Sequence, residues 1–342
     1  MSRRYYFQCP DTVGPAGGRE FLYRSVKLLR DLGFDARALH STPGFHYDWI
    51  EYDIPIEYLP LPQSYKGKLK SRLKALGSKK SRNNGKDFAA RLARLNPDDV
   101  VVLPETSLWI RHIYHPAKVV IFNQNGFYFA ERVADVGDIS GDIAGVISTS
   151  ALNDKAAEIL GLGPRATVSY SIEENEFPYR AEKKPQIAYM PRKRGREAGI
   201  LNRLLETRLA SSSFEMKPID GVSKSEAAEM IGESLIFLSL SEIEGLGLPP
   251  AEAMATGSIV IGYTGHGGDE FFTSETGFVV SDGNFLELLS KTEDVIAEYE
   301  ANPKRLDDFR KRVSDSILTN YSKKASTIAF KRAFEEVESW LE

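Results

Sequence analysis

Two glutamates, Glu244 and Glu252, stand eight residues apart on either side of a glycine-rich turn. Glu244 comes directly before the turn, and Glu252 falls inside the short helix predicted to follow it. The residues between them begin with Gly245, Leu246, Gly247 and Leu248. Backbone N–H groups in such a turn point outward at a helix N-terminus, where anions bind and phosphate is the usual guest. The spacing therefore predicts a phosphate site with a carboxylate on each side.

The elements around this turn are predicted from the same stretch. The apolar run Ser234–Leu240 indicates a buried strand, and residues 258–263 indicate a second one. Pro249 and Pro250 suit a first helical turn, and Gly257 suits the residue after the helix, where a positive φ is needed. An ordinary helix start, with an acid near its positive end, also fits these residues. The segment is thus predicted as strand, turn, short helix and strand.

A second group of charges stands just before another predicted helix. A predicted strand at 186–190 is followed by four cations and then by a helix at 197–209. The helix dipole disfavours positive charge at an N-terminus unless an anion is bound there. Such local conflicts are typical of functional sites, although solvated surface residues would give the same pattern. The cations that predict this anion-binding loop are Arg192, Lys193, Arg194 and Arg196.

The stretch from Glu244 to Gly257 resembles the Glu-x7-Glu signature of retaining, nucleotide-sugar-dependent glycosyltransferases of the GT-B fold, glycosyltransferase family 4 in particular. The resemblance includes the glycines, the prolines, both glutamates and the Ala-Met-Ala-Thr-Gly ending. It implies an α/β protein of two Rossmann-like, doubly wound domains that face each other across a cleft. A C-terminal helix is expected to cross back to the first domain. The implied boundaries are 1–178 for an acceptor-binding domain, 179–321 for a donor-binding domain and 322–342 for that helix.

The resemblance also assigns roles to individual residues. Glu244, Arg192 and Lys193 are the expected catalytic residues. Family members clamp the donor diphosphate with an arginine and a lysine; Arg192 is expected to be the first cation, and Lys193, Arg194 or Arg196 the second. The donor-binding set implied by the resemblance is Gly17, Gly18, Arg194, Arg196, Gly245, Leu246, Gly247, Leu248, Glu252, His266, Gly267 and Gly268.

The first domain shows the resemblance in outline. A predicted strand at the start of the chain is followed by the Gly17-Gly18 loop and an amphipathic helix, which is a Rossmann-like opening. This loop lacks the G-x-G-x-x-G pattern, which disfavours an oxidoreductase. A later strand runs into Asn123 and Gln124, where many relatives have a histidine that helps to hold the donor sugar. Amide groups can bond sugar hydroxyls but carry no proton at neutral pH, so the role of this position stays open.

No metal or cofactor is expected. No two aspartates are separated by one residue, so the Asp-x-Asp site with which many transferases hold Mg²⁺ lacks its ligands. Among the five histidines only His112 and His115 have helical spacing, and no cysteine or acid completes a zinc set. Protein cations and helix N–H groups are expected to stabilise the leaving phosphate instead. The nucleotide-diphosphate-sugar is a substrate in this interpretation, and no nucleic acid partner is expected.

The composition is that of a globular protein with two domains. The chain has 342 residues, of which 42% are hydrophobic and 27% are charged. The beginning of the sequence shows no leader-like apolar segment, and no stretch is apolar enough to span a membrane. A single cysteine, Cys9, fits a reducing compartment. The expected location is the cytoplasm, either free or peripheral on the inner membrane face.

The net charge of −4 is unevenly distributed along the chain. The segment from Leu61 to Leu95 carries +10, which leaves −14 for the rest. Apolar residues recur among its lysines with the spacing of a basic amphipathic helix, which can rest on an anionic membrane surface or meet a polyanionic acceptor. A solvated loop is the alternative.

The function expected from these features is retaining, metal-independent glycosyl transfer. The sugar would move from a nucleotide-diphosphate-sugar to a glycan or lipid-linked acceptor, in cell-envelope or polysaccharide biosynthesis. A GT-B nucleotide-sugar epimerase and a glycan- or nucleotide-binding module without catalysis are the alternatives. The presence of both glutamates together with the basic cluster argues against a module that has lost its chemistry.

Overall fold

The computed structural model describes residues 3–13, 16–47, 53–62 and 92–342. The chain forms two compact units. Unit 1 comprises Met1–Val168 and Thr327–Glu342, and unit 2 comprises Ser169–Ser326. Most of the basic segment 61–95 lies outside the described residues, so the predicted amphipathic helix and its membrane contact remain predictions. No helix in the described ranges is long and apolar enough to cross a membrane.

Unit 1 contains a seven-stranded sheet in its described part, and every strand pairing in it is parallel. Its order is β3-β2-β1-β4-β5-β6-β7, so the chain starts in the middle and the winding direction reverses between β1 and β4. Strand β4 is a run of buried apolar residues, as expected for a parallel strand covered on both faces. The strands are β1 Arg4–Gln8, β2 Asp35–His40, β3 Ile56–Tyr58, β4 Val100–Pro104, β5 Lys118–Asn123, β6 Gly145–Ser148 and β7 Arg165–Thr167.

Helices connect these strands. α1 (Gly17–Asp31) follows β1, α2 (Gly126–Val136) follows β5, and α3 (Ala151–Ile159) follows β6. A 3₁₀ segment, Glu105–Tyr114, follows β4. The Asn125 side chain accepts the N–H groups of the first turn of α2 and thereby caps the helix.

Unit 2 contains a five-stranded parallel sheet of order β12-β11-β10-β8-β9. Its strands are β8 Lys184–Tyr189, β9 Glu215–Pro218, β10 Ser234–Leu240, β11 Ile259–Tyr263 and β12 Phe278–Val279. Its helices are α4 Gly195–Arg208, α5 Lys224–Glu233, α6 Leu248–Ala255, α7 Phe285–Ala301 and α8 Lys304–Asn320, with a 3₁₀ turn at Gly267–Glu270. The segment 178–185, which contains the predicted boundary between the two domains, belongs to unit 2.

The last helix, α9 (Lys323–Leu341), contributes most of its length to unit 1. There Phe330 and Phe334 pack into an aromatic core with Phe7 of β1, Phe21 of α1 and Phe122 of β5. All five rings are buried. Burial of one such side chain contributes roughly 2–3 kcal/mol, so α9 is an integral part of the unit 1 core.

Candidate functional site

The candidate site of unit 2 lies at the carboxyl ends of its central strands. The chain enters at β8 and adds β9 on one side and β10 on the other, which makes the β8/β10 boundary the topological switch point. Ligands of doubly wound sheets bind at this place, because the loops from the two strands diverge and leave a crevice. The two loops here are the basic segment after β8 and the glycine-rich turn after β10.

The β10 turn and α6 have the predicted local structure. Gly247 stands at the N-cap of α6, Pro249 and Pro250 occupy its first turn, and Gly257 follows the helix with φ 84°. A residue with a side chain would be strained at this φ, so glycine is required at position 257. Most of α6 is buried, whereas Glu252 is half-buried. The buried helix α6 therefore provides a rigid support for the turn.

The C-terminal end of α6 is bonded to its surroundings. Lys183 Nζ donates to Thr256 Oγ1 at 3.3 Å, and Ser314 Oγ donates to the Ala255 carbonyl at 2.5 Å. Burial, together with the nearby Arg310 guanidinium, lowers the pKa of Lys183 to about 6. These contacts satisfy carbonyl and hydroxyl groups at the helix end and hold α6, with Glu252, in one position.

A second glycine-rich loop, after β11, packs directly against the β10 turn. The Glu244 N–H donates to the Gly265 carbonyl at 3.0 Å. A Cβ at Gly267 would lie 2.6 Å from the Glu244 carbonyl oxygen, which is closer than real side chains approach. The Gly267 and Gly268 N–H groups donate to the carbonyls of Gly265 and Thr264. The two loops thus support each other. Contact of Gly267 and Gly268 with a donor remains a prediction.

His266 lies at the tip of this second loop with φ 64° and ψ −47°. Within the described ranges no other residue with a side chain has a positive φ. Such a conformation costs about 1–3 kcal/mol and is concentrated at functional sites. The backbone at His266 is therefore held in a conformation that residues with a side chain disfavour.

We expect His266→Gly to raise the free energy of unfolding by about 1 kcal/mol, since glycine relieves the strain and loses part of that gain through chain entropy. Urea unfolding measures the change. His46→Gly is the matched control, because His46 is also exposed but does not have a positive φ; it should lose stability. A less stable His266→Gly protein would show that the ring is held by favourable contacts.

Lys193 and Glu244 join the two loops of the switch point. Lys193 Nζ lies 2.6 Å from Glu244 Oε1, and both side chains are partly exposed, at 31% and 25%. The basic segment and the Glu-x7-Glu turn are therefore neighbours in space, although 51 residues separate the pair in the chain.

Arg194 is paired within unit 2 and also lines a cavity at the N-terminus of α4. Its guanidinium lies 4.8 Å from the centre of the Tyr263 ring and pairs with Glu197 and Asp282. The Tyr263 hydroxyl donates to Glu197, and burial and this carboxylate raise the pKa of Tyr263. Arg194 thereby ties the start of α4 to β11 and to the loop before α7.

Arg192 and Arg196 are the two exposed cations of the segment that have no carboxylate within 4.0 Å in the described part of the chain. A cavity of about 380 Å³ opens at the N-terminus of α4, lined by Lys193, Arg194 and Arg196 together with Ile200 and Phe285; Arg192 directly precedes this lining in the chain. The residue at the N-cap of α4 does not cap the first-turn N–H groups with its side chain. First-turn N–H groups, Arg192 and Arg196 can all bind an anion here.

The other predicted residues lie in unit 1. Gly17 and Gly18 begin α1, and a Cβ at Gly18 would lie 3.2 Å from Gln124 Oε1. Asn123 is fully buried and donates to the Asn153 carbonyl at 2.7 Å. Gln124 is partly exposed at the same end of β5. These four residues therefore share the carboxyl edge of the unit 1 sheet.

Glu105 was not anticipated from the sequence and stands at the same edge. It directly follows β4, is 4% exposed, and accepts the Gln124 N–H at 3.1 Å. Burial raises the pKa of Glu105 to about 7. An acid immediately after a wholly apolar strand was the available signal, since polar side chains at that place often serve ligands.

No group of three or more His, Cys, Asp or Glu residues in the described ranges is arranged to hold a metal ion. His112 is half exposed and lies 3.9 Å from Asp142. The absence of a metal requirement remains a prediction.

The fold class is GT-B. Both units are α/β with all-parallel sheets, and proteins of this class match over the whole chain. Sucrose-phosphate synthase of Thermosynechococcus elongatus aligns with a TM-score of 0.67 at 13% identity, over 98% of this chain and 99% of its own. TarM aligns with a TM-score of 0.68 at 11% identity, over 100% and 99% of the two chains. HepE of Anabaena, in complex with UDP and glucose, gives 0.66 at 13% identity, over 98% and 99%.

Sequence comparison matches a smaller part of the chain. Residues 215–313 match the family model for glycosyl transferases, group 1. An alpha-1,6-glucosyltransferase of Actinobacillus pleuropneumoniae serotype 7 is 32% identical over 126 residues. That match covers 35% of this chain and 38% of the relative's length.

Proposed function

We propose that this protein is a glycosyltransferase that binds a nucleotide-diphosphate-sugar in unit 2. The observation that carries the proposal is the meeting of the Glu-x7-Glu turn with the basic segment at the β8/β10 switch point, through the 2.6 Å Lys193–Glu244 pair. The family match at 215–313, which includes the whole turn, supports it. So does the glucosyltransferase name of the relative.

Each charged group has a role in the proposal. Arg192 and Arg196 bind the diphosphate, because they are the exposed cations of the segment without a carboxylate partner in the described ranges. N–H groups at the α6 turn bind the same anion. Glu252 bonds a ribose hydroxyl, and Glu244 bonds the sugar. Lys193 holds Glu244 when no donor is bound.

The chemistry of the proposal is retaining and independent of metal, as in family 4. Breaking the bond between the anomeric carbon and the diphosphate leaves positive charge on the sugar and negative charge on the phosphate. Arg192, Arg196 and the helix N–H groups stabilise that negative charge from fixed positions. The acceptor is a glycan or a lipid-linked sugar.

UDP-glucose is the first donor to test, because HepE structures contain UDP-glucose and the relative is named as a glucosyltransferase. A thermal-shift screen with UDP, GDP, ADP, CMP and dTDP identifies the base, since a ligand that binds the native state stabilises it. Release of glucose from UDP-glucose then tests catalysis. Binding without turnover would support a non-catalytic module, and isomerisation of the sugar would support an epimerase. Binding of no nucleotide would contradict the proposal.

Glu252→Gln is expected to raise KM for the donor about tenfold with a smaller change in kcat, because the ribose hydroxyl loses a charged hydrogen-bond acceptor in ground and transition state alike. Steady-state rates at varied donor concentration give the two constants. Glu275→Gln, an exposed carboxyl on the same unit, is the control and should change neither. A fall in kcat alone would move Glu252 to the reacting bond.

Excess EDTA is expected to leave the rate of sugar release unchanged, because protein cations carry out the charge neutralisation that Mg²⁺ performs in other transferases. Rates with EDTA, and with EDTA followed by Mg²⁺ or Mn²⁺, make the measurement. Activity lost in EDTA and restored by either ion would remove the leaving-group role from Arg192 and Arg196.

A further inference from the structure

Unmatched hydrogen-bond acceptors are concentrated at one edge of unit 1. Buried polar groups are normally paired, so each exception needs a partner that the chain does not supply. Five buried side-chain atoms in the described part of unit 1 have no hydrogen-bond partner. One is the hydroxyl of Tyr6, in the middle of β1. The other four are oxygens at or just beyond the carboxyl ends of β1 and β5: Gln8 Oε1, Asp11 Oδ2, Asn123 Oδ1 and Gln124 Oε1.

Asp11 is held in position by a buried chain of hydrogen bonds. Its Oδ1 lies 2.8 Å from His40 Nδ1, and His40 Nε2 lies 2.7 Å from the Tyr23 hydroxyl. The His40 side chain is fully buried, and Tyr23 is 4% exposed. The Asp11 carboxylate can only accept, so His40 donates its Nδ1 proton to Asp11. With the imidazole proton on Nδ1, Nε2 accepts from the Tyr23 hydroxyl, whose pKa is raised by burial.

These hydrogen bonds fix one oxygen of the Asp11 carboxylate and leave the other, Oδ2, without a hydrogen-bond donor. Asp11 follows β1, and the winding of the unit 1 sheet reverses between β1 and β4. This is the ligand-binding position of a doubly wound sheet. Gln124, after β5, presents a further unpartnered oxygen at the same edge, where Glu105 follows β4.

The chemistry of these oxygens selects a class of ligand. Two of these oxygens belong to partly exposed side chains, Asp11 and Gln124, whereas Gln8 and Asn123 are buried. The partly exposed pair require hydrogen-bond donors, which a hydroxyl-rich molecule supplies and a fully ionised phosphate does not. Arg19, the cation that begins α1, donates to the Thr12 carbonyl and lies 5.0 Å from the centre of the Tyr47 ring. An anion at this edge would be repelled by the Asp11 carboxylate, and the guanidinium of Arg19 is already hydrogen-bonded to Thr12.

We propose that the carboxyl edge of the unit 1 sheet binds a neutral, hydroxyl-bearing group through Asp11 Oδ2, with His40 and Tyr23 as positioning residues. This inference rests on the proposed function, in which that group is the acceptor. Asp11 accepts a hydrogen bond from the acceptor and discriminates against phosphorylated molecules by charge repulsion.

Methyl α-D-glucopyranoside and glucose 6-phosphate are the neutral and anionic probes. Ligand-observed NMR on the full chain, with each sugar up to about 100 mM, covers the millimolar range expected of a few hydrogen bonds. Wild type should bind the neutral sugar more tightly than the phosphate. Asp11→Asn should weaken the neutral sugar about tenfold, the effect of losing one charge-assisted hydrogen bond. Asp31→Asn removes an exposed carboxylate at the far end of α1 and should bind as wild type does.

Three results would overturn the proposal: equal binding by Asp11→Asn and wild type, tighter binding of glucose 6-phosphate, or no saturable binding of either sugar. In the last case ordered water alone satisfies the four oxygens. Binding that is lost in Glu252→Gln instead of Asp11→Asn would assign the sugar to unit 2 and would also overturn it. UDP-glucose binding by wild type tests the proposed function separately, so the two failures are distinguishable.

Tyr23→Phe tests the positioning chain. Long-range ¹H–¹⁵N spectra should show the wild-type His40 proton on Nδ1, and the variant should shift toward a mixture of tautomers because Nε2 has lost its donor. Sugar binding should weaken by less than in Asp11→Asn. A purely structural role would lower the melting temperature without changing the tautomer. A wild-type proton on Nε2 would refute the chain, whatever the binding data show.

Discussion

Arg192→Ala is expected to lower kcat for sugar release from the nucleotide-sugar by roughly a hundredfold, with a smaller change in KM. The negative charge on the leaving diphosphate grows as the glycosidic bond breaks, so a fixed cation stabilises the transition state more than the bound donor. Arg192 is exposed at the switch point and has no carboxylate partner in the described ranges. Its charge is thus available to a ligand, whereas Lys193 and Arg194 are already paired.

Arg203→Ala is the matched control for this experiment. Arg203 is exposed on α4, the same helix that begins beside the basic segment, and its removal changes the net charge equally. It should leave both kinetic constants unchanged. If Arg192→Ala kept its kcat and Arg196→Ala lost it, the leaving-group role would belong to Arg196.

We expect the difference in unfolding free energy between Glu105→Gln and wild type to shift in favour of the variant as the pH rises. The pKa of Glu105 is raised from 4.5 to about 7 by burial. A raised pKa means that the folded protein binds the proton more tightly than the unfolded chain. The stabilisation by the protonated carboxyl is complete below about pH 4.5 and is lost as the pH rises through 7. The increase in the pKa of Glu105 from 4.5 to about 7 corresponds to roughly 3 kcal/mol of stability, because one pKa unit is worth about 1.4 kcal/mol.

The glutamine variant lacks this titration and still accepts the Gln124 N–H through its side-chain oxygen. The difference in unfolding free energy, variant minus wild type, should therefore increase by roughly 3 kcal/mol between about pH 5 and pH 8. Urea unfolding followed by tryptophan fluorescence measures it, since all three tryptophans belong to unit 1. Glu131→Gln, on the exposed surface of α2, should give a difference that does not change with pH. A flat profile for Glu105→Gln as well would contradict the prediction.

The parts of the fold that sequence could predict are those with strong local signals. Strand β10 was predicted with its observed limits, because seven apolar or small residues are bounded by a helix end and a polar turn. The prolines and Gly257 likewise determined α6 through backbone geometry that depends on residue type alone. The GT-B fold followed from the resemblance and is confirmed by the structural matches.

Other elements gave weaker signals. α2 and α8 were not predicted. α8 is a charged helix between two other helices, and α2 begins with Gly126, which favours a loop when the sequence is considered alone. The capping side chain of Asn125 compensates for that glycine. Such compensation becomes visible once the backbone is known.

Candidate residues for the unit 2 site could be predicted from the sequence, but which side chains pair could not. Lys193 and Glu244 lie 51 residues apart, and Asp11 and His40 lie 29 apart, so no local pattern links them. Arg194 was expected to bind the donor, and that contact remains a prediction; its contacts with Tyr263, Glu197 and Asp282 could not be read from the sequence. Which of four adjacent cations points outward depends on side chains from other strands, and those become neighbours through the tertiary fold.

In the proposed donor site, Glu244 competes with an incoming phosphate for Lys193. In the empty protein Glu244 occupies the ammonium group that a phosphate would otherwise attract. Binding must first separate the pair, so the apparent affinity for any anion is lower by the fraction of molecules in which the pair is open. In the proposed function, a nucleotide-sugar offsets this cost by giving Glu244 a sugar hydroxyl to bond, whereas an anion without a hydroxyl, such as sulfate or chloride, offers none. We therefore expect the pair to disfavour such anions relative to the donor.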